Sequence, residues 1–349
     1  MTLLPLLATV LTAFYPLLAS FRESRSTTSN LSGSYSRPIY FSKRQSFLYP
    51  VYVGHGSTSI LDSGCSLSLF DLGGDYDHID SFFNLFNQLK SYYRHSPIEY
   101  LILSHIHRDH TNFLNRLAAS KSTIKYVVSN LSAKERFSTL GLDQLPGKPV
   151  FRFLDSGLNH QPFVNAERIA PLCEDSGIYL SFLWGTLSKN NPDASKLYLK
   201  HYENNNSVVV GVGGVDIPVL FTGDINSVGQ NLLLRKYRNQ LRPFRQGIMF
   251  APHHGFSNGV NREFLSFMQP RAVIISRDAR RLMKERDLMV YSNSIVNPLY
   301  PGFKTMSCQP DETPGLAFIM DLLSRSCTLS VSKSVITLSP STQFKIRLR

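Results

Sequence analysis

Four side chains that can bind a metal ion lie within six positions of the sequence. The stretch around them reads LILSHIHRDHTNFL, and the four residues are His105, His107, Asp109 and His110. Imidazoles two positions apart on a loop can converge on one cation, and the next carboxylate and imidazole can serve a second one. Histidines combined with a carboxylate suit Zn²⁺, Fe or Mn²⁺. The alternative is a solvated polar turn, but so many metal-binding residue types in six positions favour a metal site.

Further candidate ligands follow two later apolar runs. Asp224 ends VLFTGD, and His253 and His254 end GIMFAPHH. Each run has the composition of a central strand, so these side chains can emerge at the same sheet edge as the first cluster. Read singly, Asp224 could be only a helix N-cap, and the histidine pair could be only a turn. Together with the first cluster they indicate a two-metal site.

These motifs together resemble the metallo-β-lactamase superfamily of binuclear metallohydrolases. Within it they are most similar to the ComEC-like branch, the soluble domain of a competence DNA-uptake protein. The similarity extends over about residues 50–276 and rests on the stretches VYVGHGSTSILDSG, NNNSVVVGV, VLFTGDI and APHHGFSN. The chain has at most one hydrophobic span, so it cannot itself be a multi-helix DNA channel.

The resemblance implies an α/β fold, a metallo-β-lactamase-like four-layer αβ/βα sandwich with two divalent ions, Zn²⁺ or Mn²⁺, at the sheet edge. The metal ligands of the superfamily map onto six residues: His105, His107, Asp109, His110, Asp224 and His254. The first two would bind the first ion, and the next two would bind the second. The later aspartate would bridge the ions, and the last histidine would complete the second set.

The resemblance also implies catalytic roles for Asp109 and His253. Asp109 would orient the attacking water, and His253 would contact the leaving group or the scissile phosphate, although the roles of the two adjacent histidines could be reversed. His55 is either an extra ligand or a support for its own turn. No third histidine for the first ion is evident, and the candidates to replace it are Cys173, Glu174, Asp175, His160 and His201.

The segments between these motifs alternate between strand-like and helix-like patterns. Residues 47–64 predict two short strands around a glycine turn, and residues 78–95 place apolar side chains at helical spacing. IEYLILS is a buried strand before the first cluster. The second half predicts helices in SVGQNLLLRKYRNQL and NREFLSFM, between short apolar strands. This order predicts one layered α/β body rather than two independent domains.

The first 37 residues differ in composition from the rest. Residues 1–21 carry no charged side chain and approach the length that crosses a bilayer, whereas residues 22–37 have the Ser/Thr-rich composition of a linker. The hydrolase domain is therefore predicted over residues 38–349. The first segment is either a membrane anchor or export signal, or else a helix packed on the body or an irregular start of the chain. Localisation therefore stays open between membrane-associated, exported and cytoplasmic. Four cysteines without a CxxC motif leave the redox compartment undecided.

The charge balance favours a polyanionic partner. The chain has 37 Lys and Arg against 25 Asp and Glu, a net charge of +12. The predicted substrate contacts are Arg108, inside the first motif, and Arg235, Lys236 and Arg238 in the basic run at 232–247. The leading interpretation is a binuclear metal-dependent phosphodiesterase or nuclease acting on DNA or RNA. The alternatives are a small-molecule metallohydrolase, acting on a phosphocholine ester, cyclic nucleotide or lactone, and a non-catalytic nucleic-acid-binding module.

Overall fold

The structure is a computed structural model that describes most of residues 45–276 and several C-terminal strands. The described ranges are 45–94, 96–154, 169–172, 177–186, 202–259, 261–276, 304–307, 319–321, 326–328, 334–337 and 343–348. The predicted hydrophobic segment 1–21 and linker 22–37 lie outside them. Over the described ranges, no helix combines the length and the hydropathy that a membrane crossing requires.

The described residues form seventeen strands in two sheets. In chain order the strands are β1 Phe47–Pro50, β2 Thr58–Asp62, β3 Leu67–Leu72, β4 Ile98–Ile102, β5 Ile124–Asn130, β6 Val150–Leu154, β7 Ile169–Leu172, β8 Ile178–Trp184, β9 Val209–Gly213, β10 Val219–Phe221, β11 Ile248–Phe250, β12 Ala272–Ile275, β13 Lys304–Ser307, β14 Ile319–Asp321, β15 Ser326–Thr328, β16 Ser334–Thr337 and β17 Gln343–Arg347. The first sheet has the order β14-β15-β17-β1-β2-β3-β4-β5-β6, and the second has the order β13-β16-β12-β11-β10-β9-β8-β7. Both sheets mix parallel and antiparallel pairs.

The α-helices connect these strands on the outer faces. They are α1 Ile79–Tyr92, α2 Arg108–Thr111, α3 Leu114–Ala119, α4 Leu131–Glu135, α5 Tyr202–Asn205, α6 Ser227–Leu241 and α7 Arg262–Met268. The helices predicted at 78–95, 227–241 and 261–268 are confirmed. Asn226 caps α6, because its side chain accepts a hydrogen bond from the backbone N–H of Val228. Asp224 is therefore not the N-cap residue of this helix.

Three apolar cores separate the layers. The central core lies between the sheets, where the rings of Phe70 in β3 and Phe221 in β10 stack with centroids 3.8 Å apart. A second core packs α1 and α3 on the first sheet around Phe82, and a third packs α6 and α7 on the second sheet around Phe264. Each fully buried phenylalanine contributes roughly 1.5–3 kcal/mol. Helix, sheet, sheet and helix in this order confirm the predicted four-layer αβ/βα sandwich.

Parallel pairing decides where the functional loops lie. Strand β3 pairs parallel with β4 in the first sheet, and β10, β11 and β12 pair parallel in the second. The carboxyl ends of parallel strands meet at one edge of a sheet, where ligand-binding side chains commonly gather. Strands β2 and β9 run antiparallel to these neighbours, so the loops before them reach the same edge.

The turn between β2 and β3 holds the one described cysteine whose bonding state the structure gives. Cys65 is disulfide-bonded. Disulfides persist in oxidising compartments and are rare in reducing ones. The sequence left the state of the cysteines open, and the structure gives a disulfide for Cys65.

Candidate metal centre

The first cluster of histidines follows β4 directly. His105 is fully buried, His107 is exposed at the start of α2, and the first turn of α2 presents Asp109 and the buried His110. Two glycines let this loop pack closely on the rest of the body. A Cβ atom on Gly73 would lie 2.5 Å from the carbonyl carbon of Asp109, and one on Gly56 would lie 2.6 Å from its carbonyl oxygen.

Asp224 lies at the centre of the cluster, and its two carboxylate oxygens face different histidines. Oδ1 lies 3.2 Å from Nε2 of His110 and 3.5 Å from Nε2 of His254. Oδ2 lies 3.7 Å from Nε2 of His105 and 3.7 Å from Nε2 of His253. A carboxylate placed in this way can bridge two cations, one on each side.

The candidate ligand atoms form two groups that share Asp224. In each group the ligand atoms lie within 4.8 Å of one another; the groups are Asp109, His110, Asp224 and His254, and His105, His107 and Asp224. The Nε2 atom of His105 is buried and has no hydrogen-bond partner. A buried nitrogen without a partner is costly, and a cation would satisfy it. Imidazole and carboxylate donors of this number fit divalent ions such as Zn²⁺ or Mn²⁺.

The structure thus brings together all six residues that the sequence predicted as metal ligands. It places His254 rather than His253 in the second group. The candidates for a third ligand of the first ion, Cys173, Glu174, Asp175, His160 and His201, lie outside the described residues.

Hydrogen bonds behind the cluster set the orientation of its imidazoles. Nδ1 of His110 donates to Oδ2 of Asp71 at 2.8 Å, and Nδ1 of His254 donates to the carbonyl oxygen of Ser276 at 2.8 Å. The backbone N–H and hydroxyl of Ser104 also donate to Asp71, at 2.6 and 2.9 Å. With the proton held on Nδ1, each imidazole presents Nε2 to the cluster, which is the arrangement that metal-binding histidines need.

His105 and Asp224 are tied together by a serine from the loop before β9. The hydroxyl of Ser207 lies 3.4 Å from Nδ1 of His105 and accepts the backbone N–H of Asp224 at 3.0 Å. The hydroxyl of Ser104 lies 3.1 Å from the same Nδ1. These contacts join the two sheets at the site, because Ser104 follows β4 and Ser207 precedes β9.

The PHHG segment has an unusual backbone. His253 and His254 have φ angles of 51° and 50°, and Gly255 follows at 77°. The left-handed region costs a non-glycine residue roughly 1–2 kcal/mol. The backbone N–H of His253 donates to the carbonyl oxygen of Gly223 at 3.1 Å and helps to hold this conformation. The strained turn points both imidazoles toward Asp224.

Burial and the short distances between the carboxylates and the imidazoles shift the pKa values of these groups strongly. Burial lowers the pKa of His105 well below its usual value, and the neighbouring His110 adds to the effect. Burial acts in the same direction on His110, but the carboxylates of Asp224 and Asp71 outweigh it and raise the pKa of His110 well above its usual value. Burial opposes ionisation of Asp224, but His110 and His254 hold its pKa well below the usual range.

We expect metal binding to release a proton from His110 at pH 7. The raised pKa keeps His110 protonated in the metal-free protein, and a cation on Nε2 must displace that proton. Isothermal titration of Zn²⁺ in buffers of different ionisation enthalpy should show about one proton from this histidine, decreasing as the pH rises through its pKa. Apparent affinity should therefore rise with pH over that range.

A substitution tests this assignment. His110→Asn should reduce the proton release by about one, whereas His105→Ala should leave it nearly unchanged, because the lowered pKa already keeps His105 neutral. Equal release by the wild type and His110→Asn would contradict the assignment. In the metal-free protein, the stability that protonated His110 contributes is complete below its unfolded pKa and is lost as the pH rises through the folded one.

An open cleft lies over the cluster. It is lined by His55, His107, Asp109, Tyr202, Glu203, Asn204, Asp224, His253 and His254. Nε2 of His55 lies 3.6 Å from Oδ2 of Asp109, and its backbone N–H donates to Asp75. His55 thus belongs to the wall of the cleft, outside the two ligand groups found among the described residues.

The predicted substrate contacts lie apart from the residues that line this cleft. Arg108 is exposed at the start of α2, where its guanidinium donates to the hydroxyl of Tyr76 at 3.2 Å and lies 5.2 Å from the centroid of that ring. Arg235, Lys236 and Arg238 lie on α6, and Arg238 lines a separate depression. The structure does not bring these three residues to the cleft.

Asp71 is the residue that sequence reasoning missed. The stretch ILDSG, which resembles the opening motif of the ComEC-like branch, contains Asp62, but Asp62 accepts hydrogen bonds from Tyr93 and Gly64 and none from the cluster. Asp71 is the penultimate residue of the following buried strand, in LFDLGG, and contacts His110. The signal that could have found it is an aspartate near the end of an apolar run, two positions before a glycine pair.

Comparisons with known proteins give structural matches alone. No protein-family model and no curated protein sequence matches the chain. The metallo-β-lactamase fold protein YhfI from Bacillus subtilis is 13% identical, with a TM-score of 0.38 over 69% of this chain and 91% of that one. A diphosphatase of the PhnP family is 9% identical, with a TM-score of 0.37 over 67% and 87%. The metallo-β-lactamase FIM-1 from Pseudomonas aeruginosa is 11% identical, with a TM-score of 0.32 over 56% and 75%.

The sheets and the cluster of this chain define its class. It is a protein with a metallo-β-lactamase-like αβ/βα sandwich, and it carries a histidine and aspartate cluster suited to divalent metal ions at the shared edge of the two sheets. Every residue of the two ligand groups follows the carboxyl end of β4, β10 or β11.

Proposed function

We propose that this chain is a metal-dependent hydrolase that cleaves the phosphodiester bonds of DNA or RNA. The observation that carries the proposal is the position of Asp224. Its Oδ1 faces His110 and His254, its Oδ2 faces His105, and the residue lines an open cleft. Paired divalent sites with a shared carboxylate are suited to displacement at phosphorus, because both the attacking and the leaving oxygen can be stabilised.

Each residue of the cleft has a defined part in this proposal. Divalent ions bound there would lower the pKa of a water molecule and polarise a phosphoryl oxygen. Asp109 would orient the attacking water: burial opposes its ionisation, but His110 and His254 hold its pKa well below the usual range. An aspartate this acidic accepts a hydrogen bond from water but does not retain a proton, so orientation is its role.

The choice of a nucleic-acid substrate rests on charge and on sequence motifs. The net charge of +12 favours a polyanion, and the cleft is open rather than enclosed by apolar walls. The ComEC-like motifs point in the same direction. A small phosphodiester, a cyclic nucleotide or a lactone would instead be expected to require a narrower apolar pocket.

A hydrolysis screen with metal analysis tests the proposed function. Purified protein loaded with Mn²⁺ or Zn²⁺ should cleave single- or double-stranded DNA or RNA, and Asp109→Ala should abolish most of that activity. Intact nucleic acid together with turnover of a small ester or lactone would identify a small-molecule hydrolase. Absence of bound metal, with DNA binding unchanged by His107→Ala, would identify a non-catalytic binding module.

We propose that His253 contacts the scissile phosphate or the leaving group. Its Nδ1 donates to Oδ1 of Asn258 at 2.7 Å, and Nδ2 of Asn204 contacts its Nε2 at 3.1 Å. Burial lowers its pKa, so the neutral imidazole dominates at pH 7. These neighbours hold the ring at the wall of the cleft without placing it in either ligand group.

His253→Ala should lower kcat by about 10²-fold while the protein keeps its full metal content. Elemental analysis and steady-state kinetics on the same preparation measure the two quantities. Loss of one metal ion from this variant would show instead that His253 is a ligand of the first ion, on the Oδ2 side of Asp224.

A further inference from the structure

A surface depression lined by three arginines lies on the outer helices, away from the metal cluster. Arg238, near the end of α6, and Arg242 and Arg245, in the segment that follows it, line an open depression with residues of α7. The other lining residues are Gln246, Glu263, Ser266 and Phe267. Three guanidinium groups therefore share this surface with a single carboxylate.

The depression is built around the ring of Phe267. The guanidinium carbon of Arg238 lies 4.5 Å from the ring centroid, and that of Arg245 lies 5.1 Å from it. Arg245 also donates through Nε to the carbonyl oxygen of Phe267 at 2.7 Å and through a terminal nitrogen to Gln269 at 3.1 Å. These contacts fix two of the three positive groups in place, which lowers the entropy cost of binding an anion.

The charge of the depression is not neutralised from within. None of the ion pairs between described residues involves Arg242 or Glu263, and Arg242 is exposed. The C-terminal end of α6 attracts cations, which explains part of the arginine content. This attraction does not explain why Arg238 and Arg245 pack on the ring of Phe267 while Arg242 faces solvent. The ring of Phe267 is buried, so a nucleic-acid base cannot stack on it. The arginines would therefore recognise the phosphate groups of a ligand.

The depression is separated from the metal cluster by the length of α6. The helix begins at Ser227, three residues after Asp224, and Arg238 is roughly 17 Å along it at 1.5 Å per residue. A nucleic-acid strand that reaches from the cleft to the arginines would span roughly five phosphates at 3.4 Å spacing. A small ester in the cleft would not reach them.

We propose that the depression of Arg238, Arg242 and Arg245 binds the phosphate backbone of a nucleic-acid substrate at a distance from the cleavage site. The proposal rests on the nucleic-acid substrate proposed above. Contacts to phosphate carry no base information, so the surface increases affinity for long substrates of any sequence. It also makes binding sensitive to salt, since each neutralised phosphate releases counterions.

Charge reversal at Arg242 tests the proposal in the full-length, metal-loaded protein. The probe is a fluorescent phosphorothioate-linked oligonucleotide of about 20 nucleotides, which resists cleavage and is long enough to span the distance. Arg242→Glu should raise the Kd about tenfold and reduce the slope of log Kd against log salt by about one. Hydrolysis of bis(p-nitrophenyl) phosphate should stay unchanged, which reports an intact fold and cleft.

Arg136→Glu is the matched control, because Arg136 is an exposed arginine after α4 on the first sheet and the reversal changes the net charge equally. Its Kd should change less than about twofold. Equal Kd values and salt slopes for the two variants would overturn the proposal, even if DNA is cleaved. If no nucleic acid is cleaved but binding still depends on Arg242, the proposed hydrolysis fails and the binding surface stands.

Discussion

Asp224→Asn should remove most of the bound metal and lower hydrolysis by at least about 10³-fold, since loss of metal-assisted chemistry forfeits several kcal/mol. Asp224 is the residue that the two ligand groups share. An asparagine keeps the shape but offers a single uncharged oxygen, so it cannot neutralise a cation on each side. Elemental analysis after gel filtration and a phosphodiester assay give the two measurements.

The same substitution should destabilise the metal-free protein. The depressed pKa of Asp224 means that its carboxylate contributes stability above its unfolded pKa, and this stability is lost as the pH falls through the folded value. Removal of one partner from a buried charge pair costs about 3–5 kcal/mol. Thermal unfolding in EDTA at pH 7 should therefore show a lower Tm for Asp224→Asn.

Asp216→Asn provides the control for both effects. Asp216 is exposed just before β10, whereas Asp224 follows the opposite end of the same strand. The control should keep the wild-type metal content, activity and Tm. A bridging role would be excluded if Asp224→Asn bound as much metal as Asp216→Asn and remained equally active.

The ligands themselves could be predicted because each one follows an apolar strand. A run such as IEYLIL or VLF reads as a central strand, and parallel neighbours end at one edge of a sheet, so Asp224 after β10 and His254 after β11 had to lie close together. His105 follows β4 of the other sheet and joins them where the edges of the two sheets meet. Period and composition also located α1 and α6, since their apolar faces recur at helical spacing. For these residues, the local sequence pattern alone indicates the position that the folded structure gives them.

The residues that support the ligands could not be predicted in the same way. Ser104, Ser207 and Asn204 act through single hydrogen bonds whose partners lie far away in the sequence. Serine and asparagine are common in loops, so their type carries no signal. The basic run of α6 was easy to notice from its composition, but its predicted contact with the substrate in the cleft did not follow. Arg238 is only 14 positions after Asp224 in the sequence, yet the length of the helix places it away from the cleft.

Asp71→Asn should weaken binding of the second ion by about 10–100-fold, although Asp71 belongs to neither ligand group. Oδ2 of Asp71 accepts the Nδ1 proton of His110. When a cation displaces the Nε2 proton, Asp71 keeps the remaining proton on Nδ1; an asparagine that turns its amide nitrogen toward Nδ1 would instead favour the neutral tautomer with its proton on Nε2, which competes with the cation. Competition for Zn²⁺ with a chromophoric chelator measures the affinity.

Asp62→Asn is the comparison that separates this effect from a general loss of charge. Asp62 and Asp71 lie at or next to the ends of consecutive strands, and each precedes a glycine by two positions, so the sequence alone treats them alike. Asp62 accepts a hydrogen bond from Tyr93 at 2.6 Å and contacts none of the cluster, so its replacement should leave zinc affinity within about twofold of the wild type. Equal losses in both variants would mean that Asp71 acts through the stability of the sheet. A loss of zinc affinity confined to Asp71→Asn would mean that the hydrogen bond to His110 sets its affinity for the ion.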